Sequence, residues 1–334
     1  MGRYSIASFY LLSLCSGFLE MGALFWGVSI GLSVVQVVLL GICFQIGLLV
    51  PNPIKFSKTG TCYLALGAVA SVFLSLCFFK SLFFFPCLLI SRLLSASTVQ
   101  SLRGFYLSEA PLLYKRLCRM TGFVLSPLYC LPVHLGISLF FIILLAFTQW
   151  DVQKLTVFKT RWTRLCHLVF LHHAHYFCYL YFLLYQIGFL LREQKEFCGL
   201  AFVLGWIFYS LAPKWIKTSS YSTYFSLSHF ILSGISIGMG LFVNQLFFFL
   251  LFWSMTSFFS GTIFFLDKIN QKFKECDWNS MDYAQTVGHI FGCVLSLAIY
   301  IAFQHSMFAV MMTAAFLSAA AGLYMYSYRK LVPV

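Results

Sequence analysis

Long apolar blocks fill this chain, separated by short polar and basic stretches and lacking the polar–apolar alternation of a barrel strand. A helix needs about 20 apolar residues to cross the hydrocarbon core of a bilayer. Twelve blocks of 16 to 26 residues emerge, at residues 5–30, 34–50, 61–79, 82–102, 117–132, 134–149, 165–190, 197–213, 223–243, 245–266, 283–303 and 307–328. The expected fold class is all-α integral membrane, with twelve transmembrane helices and no separate soluble domain. The fifth and sixth blocks are interrupted by Pro127 and Pro132, so hydropathy alone would also allow one span there.

Composition agrees with the pattern. Hydrophobic residues make up 61% of the 334 and charged residues 9%, against the roughly 25% charge that a soluble surface carries. The first apolar block lacks a small-residue cleavage site and is expected to be a retained span. The twelve cysteines are scattered, without CxxC or zinc-like spacing, and are expected to be free buried thiols.

Charge decides the number of spans and their direction, because cytoplasmic loops collect Lys and Arg. With twelve spans and the N-terminus inside, only Lys80, Arg192 and Lys195 of the 22 basic residues fall outside, and Arg92 lies within a span. Merging the fifth and sixth blocks would put every later basic loop on the wrong side. The net charge of +13 is therefore mostly topology, and nucleic acid is not an expected partner. The expected location is the plasma (bacterial inner) membrane, with both termini cytoplasmic.

The polar, basic segment around 151–164 divides the chain into two halves of six spans. Residues 1–150 are expected to form an N-terminal bundle and 165–334 a C-terminal bundle, with 151–164 as a cytoplasmic linker. Spans one and seven both end in Ile-Gly, at Ile30-Gly31 and Ile187-Gly188. A 6+6 repeat is the plan of a common class of secondary transporters.

The fourth span and the loop after it, "LLISRLLSA" followed by "EAPLLYKRLCRMTGF", place an Arg within an apolar helix and basic residues and a Gly beyond it. This resembles the fourth-helix motif of the major facilitator superfamily, with Arg92, Arg116, Arg119 and Gly122 in its places. Gly122-x3-Ser126-Pro127 is similar to the Gly-x3-Gly-Pro motif of that family's proton antiporters, with Ser126 in place of a Gly. The loop after span two keeps Lys58 and Gly60 but lacks the family's Asp. The resemblance implies two six-helix bundles around a cavity that opens alternately to each side.

A charge near mid-membrane costs at least about 2.5–3.5 kcal/mol, so Arg92 should face a partner or a wet cavity. It reads as a proton-coupling or anion-binding residue, or as a structural contact to helix carbonyls. Glu20, the acidic residue deep within a span, lies on a stripe with Ser13, Ser16, Gly17, Ala23 and Gly27. That stripe suits either a cavity lining or close helix contact. In span seven His172, His175, Tyr176, Tyr179 and Gln186 fall near one face, while His173 points elsewhere. Neutral imidazole can take a proton, a metal or a carboxylate. Span eleven adds Gln285, His289, Gly292 and Ser296, and the resemblance implies that these stripes converge.

The expected function is secondary active transport of a small polar solute by alternating access, coupled to protons, by a monomer in contact with lipid. No cofactor, metal or catalytic residue is expected. A membrane acyltransferase with one buried His and a non-transporting polytopic scaffold are the alternatives. The eight His are too dispersed for the histidine boxes of a di-iron desaturase.

Overall fold

A computed structural model of the chain describes residues 3–49, 58–106, 112–147, 161–215, 220–273, 276 and 278–331. Among these the chain is all-helical: α1 (Arg3–Ser29), α2 (Val34–Leu49), α3 (Lys58–Cys77), α4 (Phe84–Tyr106), α5 (Leu112–Val124), α6 (Leu131–Phe147), α7 (Arg164–Leu190), α8 (Cys198–Trp215), α9 (Tyr221–Leu241), α10 (Leu246–Ser260), α11 (Phe264–Phe273), α12 (Trp278–Ala302) and α13 (Met307–Leu331). A 3-10 turn at Gly261–Ile263 joins α10 to α11, so the two read as one bent span and the spans number twelve. Seven of the segments are long and apolar enough to cross a membrane, and three shorter helices are apolar throughout. The two outside both sets are α5, of 13 residues and rich in basic side chains, and α7, loaded with His and Tyr.

The prolines end one helix and open the next. Pro127 has no N–H to offer the carbonyl of Phe123, and its ring obstructs a further helical turn. Accordingly α5 stops at Val124, and Ser126–Leu128 forms a 3-10 turn with Pro127 inside it. Pro132 sits in the first turn of α6, where a missing N–H costs nothing. The fifth and sixth spans are thus separate helices, although the fifth lies earlier in the chain than the expected 117–132.

Large apolar side chains such as Leu82, Phe247 and Phe316 face outward, while the buried set includes Glu20, Arg92, five imidazoles of α7, α9, α12 and α6, and many hydroxyls. That distribution suits lipid as the solvent, because a lone soluble domain would cover such patches. The protein is an integral, multi-pass membrane protein.

Two compact units emerge, residues 1–157 with 191–200 and residues 158–190 with 201–334. Most of the expected linker, 151–160, lies outside the described residues. Within the first unit α1 packs on α5, α3 on α4, and α3 on α6. Within the second, α7 packs on α12, α9 on α10, and α9 on α13. Counted as spans, first-with-fifth, third-with-fourth and third-with-sixth recur six spans later.

Candidate functional site

In the first unit the site grows from a close helix crossing. A methyl group added at Gly17 would lie 2.4 Å from the carbonyl oxygen of Arg119, and one at Gly122 would lie 2.2 Å from that of Leu14. Only two bare glycine backbones let α1 and α5 approach so closely. That approach brings the Arg119 guanidinium onto the Glu20 carboxylate in a salt bridge, with side-chain exposures of 26% and 4%. The small-residue stripe of α1 is therefore a helix-contact stripe at Gly17, and Glu20 is ion-paired there.

Arg92, fully buried on α4, turns to the backbone of its neighbours. Its Nη1 donates to the carbonyl of Leu19, its Nη2 to the carbonyl of Glu20 at 3.0 Å, and its Nε to the carbonyl of Leu40 at 3.5 Å. The guanidinium carbon stands 4.5 Å from the centre of the Phe44 ring, within cation–π range. The planar fork thus straps α4 to both α1 and α2. Glu20 is the junction, since its backbone receives Arg92 and its side chain receives Arg119.

Beside this lies a relay that sequence reasoning missed. His134 of α6 hydrogen-bonds through Nε2 to the Ser95 hydroxyl at 2.9 Å and through Nδ1 to the Tyr129 hydroxyl at 2.5 Å. All three side chains are buried. A lone His in an apolar helix carried no spacing signal, and Tyr129 fell within the expected fifth span, 117–132, as one aromatic residue among many.

In the second unit α7 distributes its imidazoles to three helices. His229 donates from Nδ1 to the carbonyl of Phe225 at 2.9 Å, so its Nε2 holds a lone pair. His172 then donates from Nδ1 to that Nε2 at 3.0 Å. His173 meets His289 of α12, Nδ1 to Nε2 at 3.0 Å, and His289 stacks on Phe177 with ring centres 3.7 Å apart. Gly288 and Gly292 permit this, since methyl groups there would lie 2.6 and 2.3 Å from the carbonyl oxygens of Phe170 and Ala174. The rings of His172 and His173 are 5.1 Å apart, which makes the two pairs one cluster. His173, set aside on helical spacing, thus belongs to it, and His289 joins through His173, not through the His175–Tyr179 face. Gln285 is half-buried and does not enter the cluster, and Ser296 bonds back to Cys293 of its own helix.

His175 and Tyr179 form a separate pair on α7, ring centres 5.4 Å apart. His175 donates from Nδ1 to the carbonyl of Ala314 of α13 at 2.8 Å, which leaves Nε2 as a bare acceptor. That Nε2 and the Tyr179 hydroxyl are buried with no hydrogen-bond partner among the described residues. The Ser260 hydroxyl of α10 lies beside that of Tyr179, outside hydrogen-bond geometry. Tyr176 packs on Tyr179 and stacks with Trp253 of α10. Gln186 lies further along α7 and pins the end of α9 through Val243 and Asn244. Buried polar groups are nearly always satisfied, so a bare imidazole nitrogen and a bare phenol hydroxyl on adjacent rings stand out.

No protein-family model matches the chain, and no curated protein matches it in sequence. Solved structures do match in fold. A bacterial metal transporter aligns with a TM-score of 0.58 at 13% identity, covering 96% of this chain and 98% of its own. The nucleoside transporter NupG, in a point-mutant form, aligns with a TM-score of 0.61 at 12% identity, covering 96% and 99%. The fold is that of major-facilitator-type transporters over nearly the full length of the chain.

Proposed function

We propose that the protein is a secondary active transporter that moves a small polar solute across the plasma membrane by alternating access, driven by protons. Residues 1–150 and 165–334 serve as the two six-helix bundles, and 151–164 as their cytoplasmic linker. The likeness to two transporter structures, nearly complete on both sides, carries this reading. Those two carry a metal and a nucleoside by their descriptions, so the fold leaves the solute open.

The solute contacts we assign are His175, Tyr179 and Tyr176. A bare Nε2 accepts from a donor on the solute, and the Tyr179 hydroxyl donates to an acceptor, while Tyr176 supplies a ring face. The proton site we assign is Glu20. Protonating it cancels the charge that holds Arg119 and frees that cation, whereas deprotonation re-forms the pair. His172 and His289 link α7 to its neighbours through the imidazole cluster. Gln285 lies outside it and is kept as an accessory contact. Arg92 sets the geometry of α1, α2 and α4 around Glu20.

Uptake into proteoliposomes with and without an imposed pH gradient tests the reading, after a thermal-shift screen has chosen solutes that stabilise the protein. Tyr179→Phe is the sharpest variant. A buried hydroxyl with no partner gives the fold nothing, so its removal leaves stability unchanged or raises it by about 1 kcal/mol. Solute affinity should nevertheless fall. His175→Ala should weaken affinity as well, whereas His173→Ala should first loosen α12 and lower stability. Equal solute affinity in wild type and Tyr179→Phe would remove this pair from the solute site. Solute flux that ignores the pH gradient in wild-type protein would end the proton-coupled reading.

A further inference from the structure

Two thiols that are 110 residues apart in sequence meet away from these clusters. Cys166 lies in the first turn of α7 and is buried, while Cys276, between α11 and α12, is partly exposed. Their sulfur atoms stand 3.0 Å apart, and a disulfide would need them to close by about 1 Å.

Both cysteines are held for that approach. Asn270 of α11 grips Cys276 on two sides: its Nδ2 donates to the Cys276 carbonyl at 2.8 Å, and its Oδ1 accepts from the Cys276 N–H at 3.0 Å. The Thr163 hydroxyl donates to the Cys166 sulfur at 3.5 Å and accepts from the Cys166 N–H at 3.4 Å. Arg161 donates from its N–H to the Ser280 hydroxyl of α12 at 3.0 Å, fixing the segment before α7 against the same corner. The Cys166 sulfur also donates to the carbonyl of Arg161 at 3.8 Å, just before its own helix, whereas Cys178 and Cys293 donate to the carbonyls of Val310 and Phe177 on neighbouring helices and serve helix contact.

We propose that Cys166 and Cys276 are a reversible thiol-modification site that forms a disulfide by exchange with a low-molecular-weight disulfide of the glutathione type. Cys276 is the sulfur that a reagent can reach. As a thiolate it attacks the small disulfide, whose S–S bond breaks, and one small thiolate leaves and takes up the proton that Cys276 released. The Cys166 sulfur then attacks Cys276 in the mixed disulfide and expels the second small thiol, which takes the Cys166 proton. Two protein thiols are oxidised to one disulfide, and one small disulfide is reduced to two thiols. The count of basic loops assigns this corner to the cytoplasmic face, where thiols are kept reduced. The pair therefore rests reduced, and its bridging reports an oxidising shift. Once formed, the bridge staples the α11–α12 connection to the start of α7. Resting on the transport reading, this staple should slow turnover.

The experiment uses full-length protein in membrane vesicles, treated with glutathione disulfide, blocked with N-ethylmaleimide, digested and mapped by mass spectrometry. The expected result is a peptide linking residues 166 and 276 that dithiothreitol abolishes. Cys166→Ser should trap glutathione on Cys276, and Cys276→Ser should leave Cys166 without glutathione. The wild-type map alone decides the matter if a variant fails to fold. Folded wild-type protein that carries glutathione on Cys276 but yields no 166–276 peptide overturns the proposal, as does a bridge from either residue to another cysteine. The linked peptide needs no solute, so its absence is distinct from a failure of the transport reading. Loss of solute flux on oxidation, restored by dithiothreitol, supports the staple, and a bridged protein with unchanged flux overturns it.

Discussion

A guanidinium in the middle of a membrane span has two ways to be tolerated, and Arg92 takes the backbone one. Three carbonyls on two other helices, together with the Phe44 ring, replace the water it gives up. A Lys ammonium is a point donor without the planar fork, so Arg92→Lys should lose most of this strap. Hydrogen bonds to charged groups contribute about 1.5–3 kcal/mol each. Arg92→Lys and Arg92→Gln should therefore both lower the yield and melting temperature of the detergent-solubilised protein, with Gln the worse. A Lys variant as stable as wild type would contradict the strap. Glu20 and Arg119 call for a double-mutant cycle. Arg119→Gln leaves a buried carboxylate without its partner, a loss of about 3–5 kcal/mol, and adding Glu20→Gln should recover much of it. Additive losses would mean that the pair is not coupled. Sequence reasoning could name Arg92 and Glu20, because a charge within an apolar run is visible in one dimension. It could not name their partners, since backbone carbonyls leave no mark in a sequence and the motif that includes Arg119 does not say which side chain it meets.

Helices, by comparison, were legible in existence and less so in extent. Each apolar block corresponds to a helix, since hydropathy reports the lipid-facing length. The ends were missed where a helix continues past its apolar part, as α4 does through Arg103 to Tyr106 and as α11 does with Asp267, Lys268 and Lys272. Helix contacts were the least legible, because a Gly in a sequence does not say what lies opposite it. Gly122 and Gly292 face carbonyl oxygens of a neighbouring helix, whereas Gly136 and Gly234 have nothing within 4 Å of an added Cβ. Gly122→Val and Gly292→Val should force α1 from α5 and α7 from α12, and should cut the yield of folded protein sharply. Gly136→Ala and Gly234→Ala should be neutral or should stabilise by roughly 0.5–1 kcal/mol, since Ala loses less backbone entropy in a helix. Thermal unfolding of the four variants side by side checks this, and equal behaviour in both pairs would refute the close crossings.

At the scale of the whole molecule, the repeat is clearer in the pairing of helices than in the Ile-Gly endings of spans one and seven. The first-with-fifth crossing uses Gly17 and Gly122, and the seventh-with-eleventh crossing uses Gly288 and Gly292, each set against carbonyl oxygens of the partner helix. Similar crossings can be built from quite different residues around them, which is why one sequence showed so little of the repeat. Orientation in the membrane rests on a different physical argument, the asymmetry of Lys and Arg between loops. In the proposed topology six spans lie between residues 158 and 334, which puts both on the same side, and the excess of Lys and Arg in those loops argues for the cytoplasm as that side. Separation of α5 from α6 at Pro127 keeps the number of crossings before residue 158 even. Alkaline phosphatase and fluorescent-protein fusions at residues 158 and 334 should therefore both read cytoplasmic, and a cysteine-specific impermeant reagent should fail to label Cys276 from outside intact cells. A fusion at 334 reading outside while the one at 158 reads inside would mean an odd number of crossings in the second half. It would also move the Cys166–Cys276 corner no further than the spans before it allow, so labelling at Cys276 separates an error in the last spans from an inversion of the whole chain.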